Sequence, residues 1–409
     1  MWTAIHTIDM VLWTIMAFSV AYVTFFAFIS LFPSRSSSHQ PSSIIHHPSS
    51  FLILFPAYKE DTVIVHSVRQ FLEQTYPKDL YEVVIISDHM QDETNELLCQ
   101  LPITLLTPQF EKSSKAKALQ YAIKEINGQS SMVRSSSARL LPTGRKDGQF
   151  DYVIILDADN MVMPDFLEQV NVSCQQGYKA IQCHRCAKNS QNDVAVLDGV
   201  SEEINNTIFR KAHNTIGLSA ALIGSGMCFP YHWFKEHVGE LGSAVEDREL
   251  EVFLLKENVY IKFEEHIPVF DEKVSNRDNF ERQRQRWLNG QIQTLLLMLP
   301  YIPKAIASHN INYVDKTIQQ ALIPRSILLI VLTFLAILVM LVSLEESFKW
   351  WGLFLILCIS LFIALPSRMR TKTVFGKLVY FPRLALKMIK NILHLDKNNK
   401  EFFHTTHGK

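Results

Sequence analysis

Tyr152-Val-Ile-Ile-Leu-Asp-Ala-Asp159 is the stretch on which the reading of the whole chain turns. Its apolar β-formers run straight into Asp157 and Asp159, which predicts a buried strand with two carboxylates at its carboxyl end. Open α/β sheets bind their ligands at that edge. An Asp-x-Asp pair there offers hard oxygen ligands to a divalent cation and, through the cation, to a diphosphate. The same residues also suit a plain turn with an Asp capping the next helix, since Asn160 and Pro164 favour one.

The flanking sequence repeats the strand-then-helix rhythm. Phe51-Leu-Ile-Leu-Phe55 is an apolar strand ending in Pro56-Ala-Tyr58-Lys-Glu60-Asp61, followed by a helix over 62–74. Tyr81-Glu-Val-Val-Ile-Ile86 is a second strand, closed by Ser87-Asp88. Another helix, a short strand over 103–106 and a helix over 115–126 follow. This order calls for a mostly parallel, Rossmann-like sheet with right-handed crossovers. Beyond the Asp157 strand come a helix over 165–175, a strand over 179–183 and a long helix over 195–210. Then follow a strand Ala221-Leu-Ile-Gly-Ser-Gly226-Met-Cys-Phe229 with a small-residue break, a helix opened by Glu246-Asp247, and a strand over 259–264. The glycines allow backbone to approach a ligand closely.

Lys+Arg and Asp+Glu balance at 40 each among 409 residues, so no global field points to nucleic acid. Hydrophobic content is nevertheless 48%, because it is concentrated in three runs. Val11 to Phe32 carries no charge and is long enough for a ~30 Å hydrocarbon layer; Ile327–Leu344 and Phe348–Leu365 are shorter spans, the latter with Trp350 and Trp351 at an interface. These runs make the chain an integral membrane protein and exclude a soluble α/β binding module. The first run lacks a basic flank and a small-residue cleavage site, so it reads as a retained anchor. Arg325, Arg368, Arg370, Lys372 and Lys377 cluster at one set of span ends, whereas Met1 to Met10 carries neither Lys nor Arg. The expected topology therefore has the amino terminus outside the cell membrane, with the central domain and the carboxyl terminus cytosolic.

The resulting organisation is an anchor over 1–33, a linker over 34–50, an α/β domain over 51–290, interfacial helices over 291–320, two spans over 321–366 and a basic amphipathic tail over 367–409. A Ser- and Arg-rich insertion over 128–148 reads as a surface loop, and the tail ends in His404 and His407. Six cysteines are scattered, as suits a reducing cytosol. Cys183-His-Arg-Cys186 has C-x-x-C spacing, but no second pair completes a tetrahedral site, so structural thiols are expected.

In a sheet of this kind the strand ends converge on one edge, bringing together Asp88, Asp157/Asp159, Asp247 and Gln283/Arg286/Trp287. Those groups can move a sugar from a nucleotide diphosphate to a hydroxyl. Asp88 accepts hydrogen bonds from base or ribose, and a metal on Asp159 with the Arg286 guanidinium neutralises the departing diphosphate. Asp247 takes the acceptor proton. Trp287 offers a flat face to a sugar ring. Plainer readings exist: Asp88 as a helix cap, Glu246 and Asp247 as complements to a helix dipole, and Arg282 and Arg284 as a membrane-facing basic cluster.

From Phe51 to Met298 the chain resembles the membrane-embedded inverting glycosyltransferases of family 2, which include cellulose, chitin, hyaluronan and poly-N-acetylglucosamine synthases. Pro56-Ala-Tyr58-Lys-Glu60 is similar to the family's first nucleotide-binding loop, and Asp88 to its uridine-contacting acid. Lys115 and Lys117 resemble its lysine segment; Lys117 is expected to face the donor, and one of the two to be a solvated helix residue. Asp157-Ala-Asp159 matches the D-x-D pair, with Asp159 as metal ligand and Asp157 on the ribose or diphosphate. Gly224-Ser-Gly226-Met resembles the acceptor-side loop and Glu246-Asp247 the E-D pair whose Asp is the base. Gln283-x-x-Arg286-Trp287 matches Q-x-x-R-W, which binds diphosphate and acceptor. The resemblance implies a GT-A fold, a UDP-sugar donor, Mg2+ or Mn2+, and inversion.

It also implies a hexose or N-acetylhexosamine added to a growing polysaccharide. Three spans are few for an export channel, however, and no F-x-V-T-x-K-like gating segment follows them. A channel would need a homo-oligomer or an export partner; the alternative is single transfer to a lipid-linked acceptor, as in ceramide glucosyltransferases. A non-catalytic scaffold would call for degraded acidic and Q-x-x-R-W positions, and none is degraded.

Overall fold

The computed structural model describes residues 2–33, 48–128, 150–188, 193–243, 245–272 and 277–378. Most of the 34–50 linker, the 128–148 insertion apart from Gly128, and the tail beyond 378 with His404 and His407 lie outside the described residues.

The elements are α1 (Trp2–Ile29), β1 (Phe51–Tyr58), α2 (Ile64–Phe71), β2 (Tyr81–Asp88), α3 (Asp92–Cys99), β3 (Thr104–Leu106), α4 (Lys115–Asn127), β4 (Tyr152–Ile155), β5 (Met161–Val162), α5 (Phe166–Gln175), β6 (Ala180–Ala187) and α6 (Asp193–Asn205). A π-helical segment, Asn206–Lys211, joins α6 to α7 (Ala212–Thr215). Then come β7 (Met227–Pro230), α8 (Tyr231–His237), α9 (Glu246–Lys256), β8 (Ile261–Asp271), α10 (Arg277–Met298), α11 (Ile302–Ala307), α12 (Ile311–Ala321), α13 (Arg325–Met340), α14 (Leu344–Ala364) and α15 (Lys372–Leu378).

The strands form one sheet in the order β3-β2-β1-β4-β7-β6-β8-β5. Its first half is parallel, with Tyr58 level with Asp88 across β1 and β2. β1 is apolar at nearly every position because helices cover both its faces, so no alternation is required. The second half is mixed: β7 runs antiparallel to β4 and β6, and β8 is parallel to β6. The expected strand over 221–229 is shortened to β7. Gly224 and Gly226 adopt φ +67° and +65°, which turns the chain out of extended geometry before Met227. Gln291–Leu299, expected as a separate helix, mostly continues α10.

Among the described residues two helices, His6–Ile29 and α14, are long and apolar enough to cross a membrane. The bent pair α12 and α13, angled at 50° across the Leu322–Pro324 break, has the length and composition of a third only if the two helices are taken as one span. α1 grips the α/β unit. Tyr22 donates to Asp315 Oδ1 at 2.6 Å and its hydroxyl lies 3.0 Å from His213 Nε2, while Phe26 stacks on the His213 ring at 3.7 Å.

Cys183 and Cys186 part company because residues three apart on a strand face opposite ways. Cys183 is buried beside Gly226, whereas Cys186 joins His184 and Glu203, their donor atoms within 4.8 Å of one another. The Arg368 guanidinium fills the cationic role there, donating to Glu203 Oε1 at 2.6 Å and tying the segment after α14 to α6. Burial alone would lower the His184 pKa, but Cys186 and Glu203 overcome it and raise it to about 10. The protonated ring is therefore favoured in the folded chain. Its stabilisation is full below the ordinary value of 6.5 and is lost as pH rises to about 10. Relative to His184→Asn, the native chain should be more stable at pH 6 by on the order of 2 kcal/mol. Melting curves should show that gap closing steadily toward pH 10; a pH-independent gap would rule this origin out.

Candidate active site

A cavity of about 740 Å³ opens at the carboxyl edge of β1, β2 and β4. Among the residues expected at the site, Pro56, Tyr58, Glu60, Asp88, Asp157, Asp159, Glu246, Asp247, Gln283, Arg286 and Trp287 all line it.

The donor side is built by chain reversals. Lys59 and His89 follow level strand ends and both adopt left-handed backbone, φ 55° and 54°, so β1 and β2 turn away at the same height. Lys59 N donates to the Asp88 carbonyl at 3.2 Å, and the buried Asp88 carboxylate pairs with His89 Nδ1 at 2.6 Å. At the end of β4, Asn160 is the hub of the acidic turn. Its Oδ1 accepts from Asp157 N at 2.9 Å and from Ser225 Oγ; its Nδ2 donates to Asp159 Oδ1 at 3.1 Å and to Asp271 Oδ1 at 3.4 Å. Asp159 Oδ2 accepts from Glu272 N at 2.8 Å. The Asp-x-Asp pair is thus held from both sides.

Two expected positions are corrected. Of the two lysines of α4 it is Lys115 that lines the cavity; Lys117 instead donates to the Lys112 carbonyl at 2.7 Å on the surface. Residues two apart on a helix project about 200° from each other, so only one can face the sheet edge. Likewise Gly224 borders the cavity and Gly226 does not. Gly226 is buried beneath the edge, where a Cβ would come 2.9 Å from Val269 Cγ2 and 3.2 Å from Cys183 Cβ. The close packing of β6, β7 and β8 requires a glycine there.

Lys115 ties the two halves of the site together. Its ammonium donates to Asp157 Oδ1 and to the Gly224 carbonyl and lies 3.5 Å from Glu246 Oε1. Burial alone would lower its pKa; Asp157, Glu246 and Asp247 outweigh that and hold it above the ordinary value. Glu246, at the start of α9, is raised to about 7, chiefly by burial, against the pull of Lys115. Asp247 stands next to it, with Oδ2 3.6 Å from where a Cβ on Gly224 would be.

Motif reading missed three side chains. Arg185 donates to Asp271 Oδ1 at 2.7 Å, and Asn160 links Asp271 to Asp159. Arg185 sat inside the C-x-x-C stretch and Asp271 at the end of a strand expected to stop at 264. The alternation of β6, with Cys183 and Arg185 two apart on one face, was the signal that could have found Arg185. Asn160 reads from sequence only as a turn former.

The donor set suits a hard divalent cation. Glu60, Asp157, Asp159 and Asp271 contribute only oxygens, and Glu60 is raised to about 9 by burial and by the charges of Asp159, Asp157, Glu272 and Asp61. That excess of negative charge is what a cation would relieve. Mg2+ in particular needs only one or two carboxylates, keeping water and phosphate oxygens for the rest of its shell.

Over residues 47–290 the chain matches the model of a family described as glycosyltransferase like family 2. β-Monoglucosyldiacylglycerol synthases from Trichormus variabilis and a Nostoc species are 24% and 23% identical over 252 residues, 60% of this chain. The chain spans about half the length of these curated relatives, 49%. Among solved structures, the mannosyltransferase PcManGT from Pyrobaculum calidifontis, in complex with GDP-Man and Mn2+, superposes with a TM-score of 0.53 at 16% identity. The match covers 88% of this chain and 96% of that one, and it shows a GT-A-like fold. With more than half of its length inside the family model, the chain belongs to glycosyltransferase family 2.

Proposed function

We propose that this glycosyltransferase moves a hexose or N-acetylhexosamine from a UDP-sugar, with inversion, to a hydroxyl borne by a membrane lipid. One observation carries the lipid over a growing polysaccharide. The cavity that holds Asp157 and Asp247 continues without a break to Val23 of α1, Leu329 of α13, and Leu361 and Phe362 of α14. A polysaccharide has no use for such a wall, whereas an acyl or prenyl chain is matched by it. The lipid-directed relatives point the same way.

In this reading Asp88 holds the nucleoside, and Asp157 and Lys115 the diphosphate side. Mg2+ or Mn2+ on Asp159 would neutralise the leaving diphosphate, and Arg286 adds a second positive charge. Asp247 accepts the acceptor proton and Trp287 stacks on a sugar ring. The α/β unit faces the cytosol. Lys349, the lone cation at the far end of α14, is neutralised by Asp9 and Glu346, which leaves Arg325, Arg368 and Arg370 to set the positive side. Exposed Ile292, Leu296 and Leu297 at the end of α10, with Leu299 just beyond it, suit the adjoining interface.

The test is incubation of the purified full chain in phospholipid vesicles with Mg2+ and a panel of labelled UDP-sugars. Soluble oligosaccharides and a membrane lipid extract are offered together. Label should enter the organic phase as lipids one sugar heavier by mass spectrometry, and chelation should stop it. Label confined to a water-soluble ladder would replace this reading with polymer extension.

A further inference from the structure

The cavity changes character between the base and the apolar wall. Asp247 and Glu251 lie one turn apart on α9, and Glu251 Oε1 pairs with Lys316 Nζ at 3.1 Å. From Lys316, α12 runs one further turn to Gln319, whose Oε1 accepts from Lys316 at 2.8 Å; then it breaks, and α13 carries Ile327 and Leu329. Across from α12, the π-helical turn brings Arg210 to Glu202 at 3.3 Å and to Asn206 at 2.7 Å. π-Helical turns are uncommon and recur at functional sites. All four charged side chains are at most 4% exposed, and all line the cavity. Asp198, one turn before Glu202 on α6, and Arg325, which donates to Asn205 Oδ1 at 2.7 Å from the start of α13, line the same stretch. A belt of three carboxylates and three cations, with no net charge, therefore lies between the proton acceptor and the hydrocarbon wall. The donor chemistry uses none of the six.

We infer that the acceptor lipid carries an uncharged polar spacer between its reacting hydroxyl and its apolar chains, namely a glycosyl head group. The chain then extends a glycolipid in preference to priming a bare diacylglycerol, an inference that rests on the lipid reading above. In a diacylglycerol the hydroxyl sits beside the ester-bearing carbons. With that hydroxyl on Asp247, the acyl chains would lie against Glu251, Lys316, Glu202 and Arg210, and sealing buried charges under hydrocarbon is costly. A sugar ring fills the same space with hydroxyls that donate to the carboxylates and accept from the cations. A phosphate in that position would meet a belt with no surplus positive charge, next to Glu246 and Asp247. In the transfer, the glycolipid oxygen bonds to the anomeric carbon and the bond from that carbon to the diphosphate oxygen breaks. The electron pair leaves with the diphosphate and the hydroxyl proton goes to Asp247.

The experiment uses the full chain in phosphatidylcholine vesicles with the UDP-sugar identified by the panel. Dioleoylglycerol, monoglucosyl- and monogalactosyl-dioleoylglycerol, phosphatidylglycerol and a soluble oligosaccharide are offered separately. One of the two glycolipids should show a kcat/KM about tenfold or more above dioleoylglycerol and phosphatidylglycerol. Equal or better use of dioleoylglycerol overturns the spacer, and preference for phosphatidylglycerol overturns its neutrality. Label on no lipid, with a soluble oligosaccharide labelled in parallel, overturns the lipid reading itself.

Discussion

Asp247→Asn should lower sugar transfer by about 10²- to 10⁴-fold while leaving UDP binding unchanged. The asymmetry follows from where the neighbouring charges go. Lys115 is bound to Asp157 and lies near Glu246, so the amide at position 247 removes a proton acceptor without stranding a cation. Size is conserved, and the face toward Gly224 keeps its contact. Initial rates of UDP release, set beside UDP binding by calorimetry, separate the two effects. Turnover within a few-fold of the native chain would remove Asp247 from the role of base. A parallel loss of UDP binding would show that the substitution disturbs the donor side, which the geometry does not allow for.

What could be read from the sequence follows a physical division. Strands covered on both faces announce themselves as apolar runs, so β1, β2 and β4 and the acids at their ends were legible from Phe51, Tyr81 and Tyr152 onward. Their parallel order follows from the helices between them. β7 was misjudged in extent, because Ala221 to Ile223 has the composition of a strand while Gly224 and Gly226 impose left-handed backbone just after it. β8 reads too short, since Glu264, Glu265 and His266 interrupt the apolar pattern in its middle. In the site, residues at fixed strand ends were found, whereas Lys115, Arg185 and Asp271 needed side-chain direction in three dimensions. Lys115 and Lys117 are equivalent in composition, and only the rotation of α4 against the sheet distinguishes them. The polar belt was beyond sequence reading altogether, because its charges come from α6, the π-helical turn, α9, α12 and the start of α13, and meet only in the folded chain.

Lys115→Met is expected to damage both the fold and the chemistry, and the two losses can be separated. In the native chain its ammonium lies between Asp157 and Glu246, whose side chains are 30% and 10% exposed. Removing one member of a buried charge cluster leaves the others uncompensated, which costs about 3 kcal/mol or more. Glu246, already raised to about 7 with Lys115 beside it, would rise further and take up a proton at neutral pH, so part of the cost is recovered there. Adding Glu246→Gln to Lys115→Met should then restore much of the stability, because the second neutral group no longer needs the cation. It should not restore transfer, since Asp157 remains without the charge that holds it against the Gly224 loop; activity in both variants should stay about 10²-fold below native. Denaturant midpoints for the two single variants and the double variant give the coupling directly. A cycle with no coupling between positions 115 and 246 would mean that the lysine serves only the donor half. Recovery of activity together with stability would mean that Lys115 is a structural pin and contributes nothing to the donor clamp.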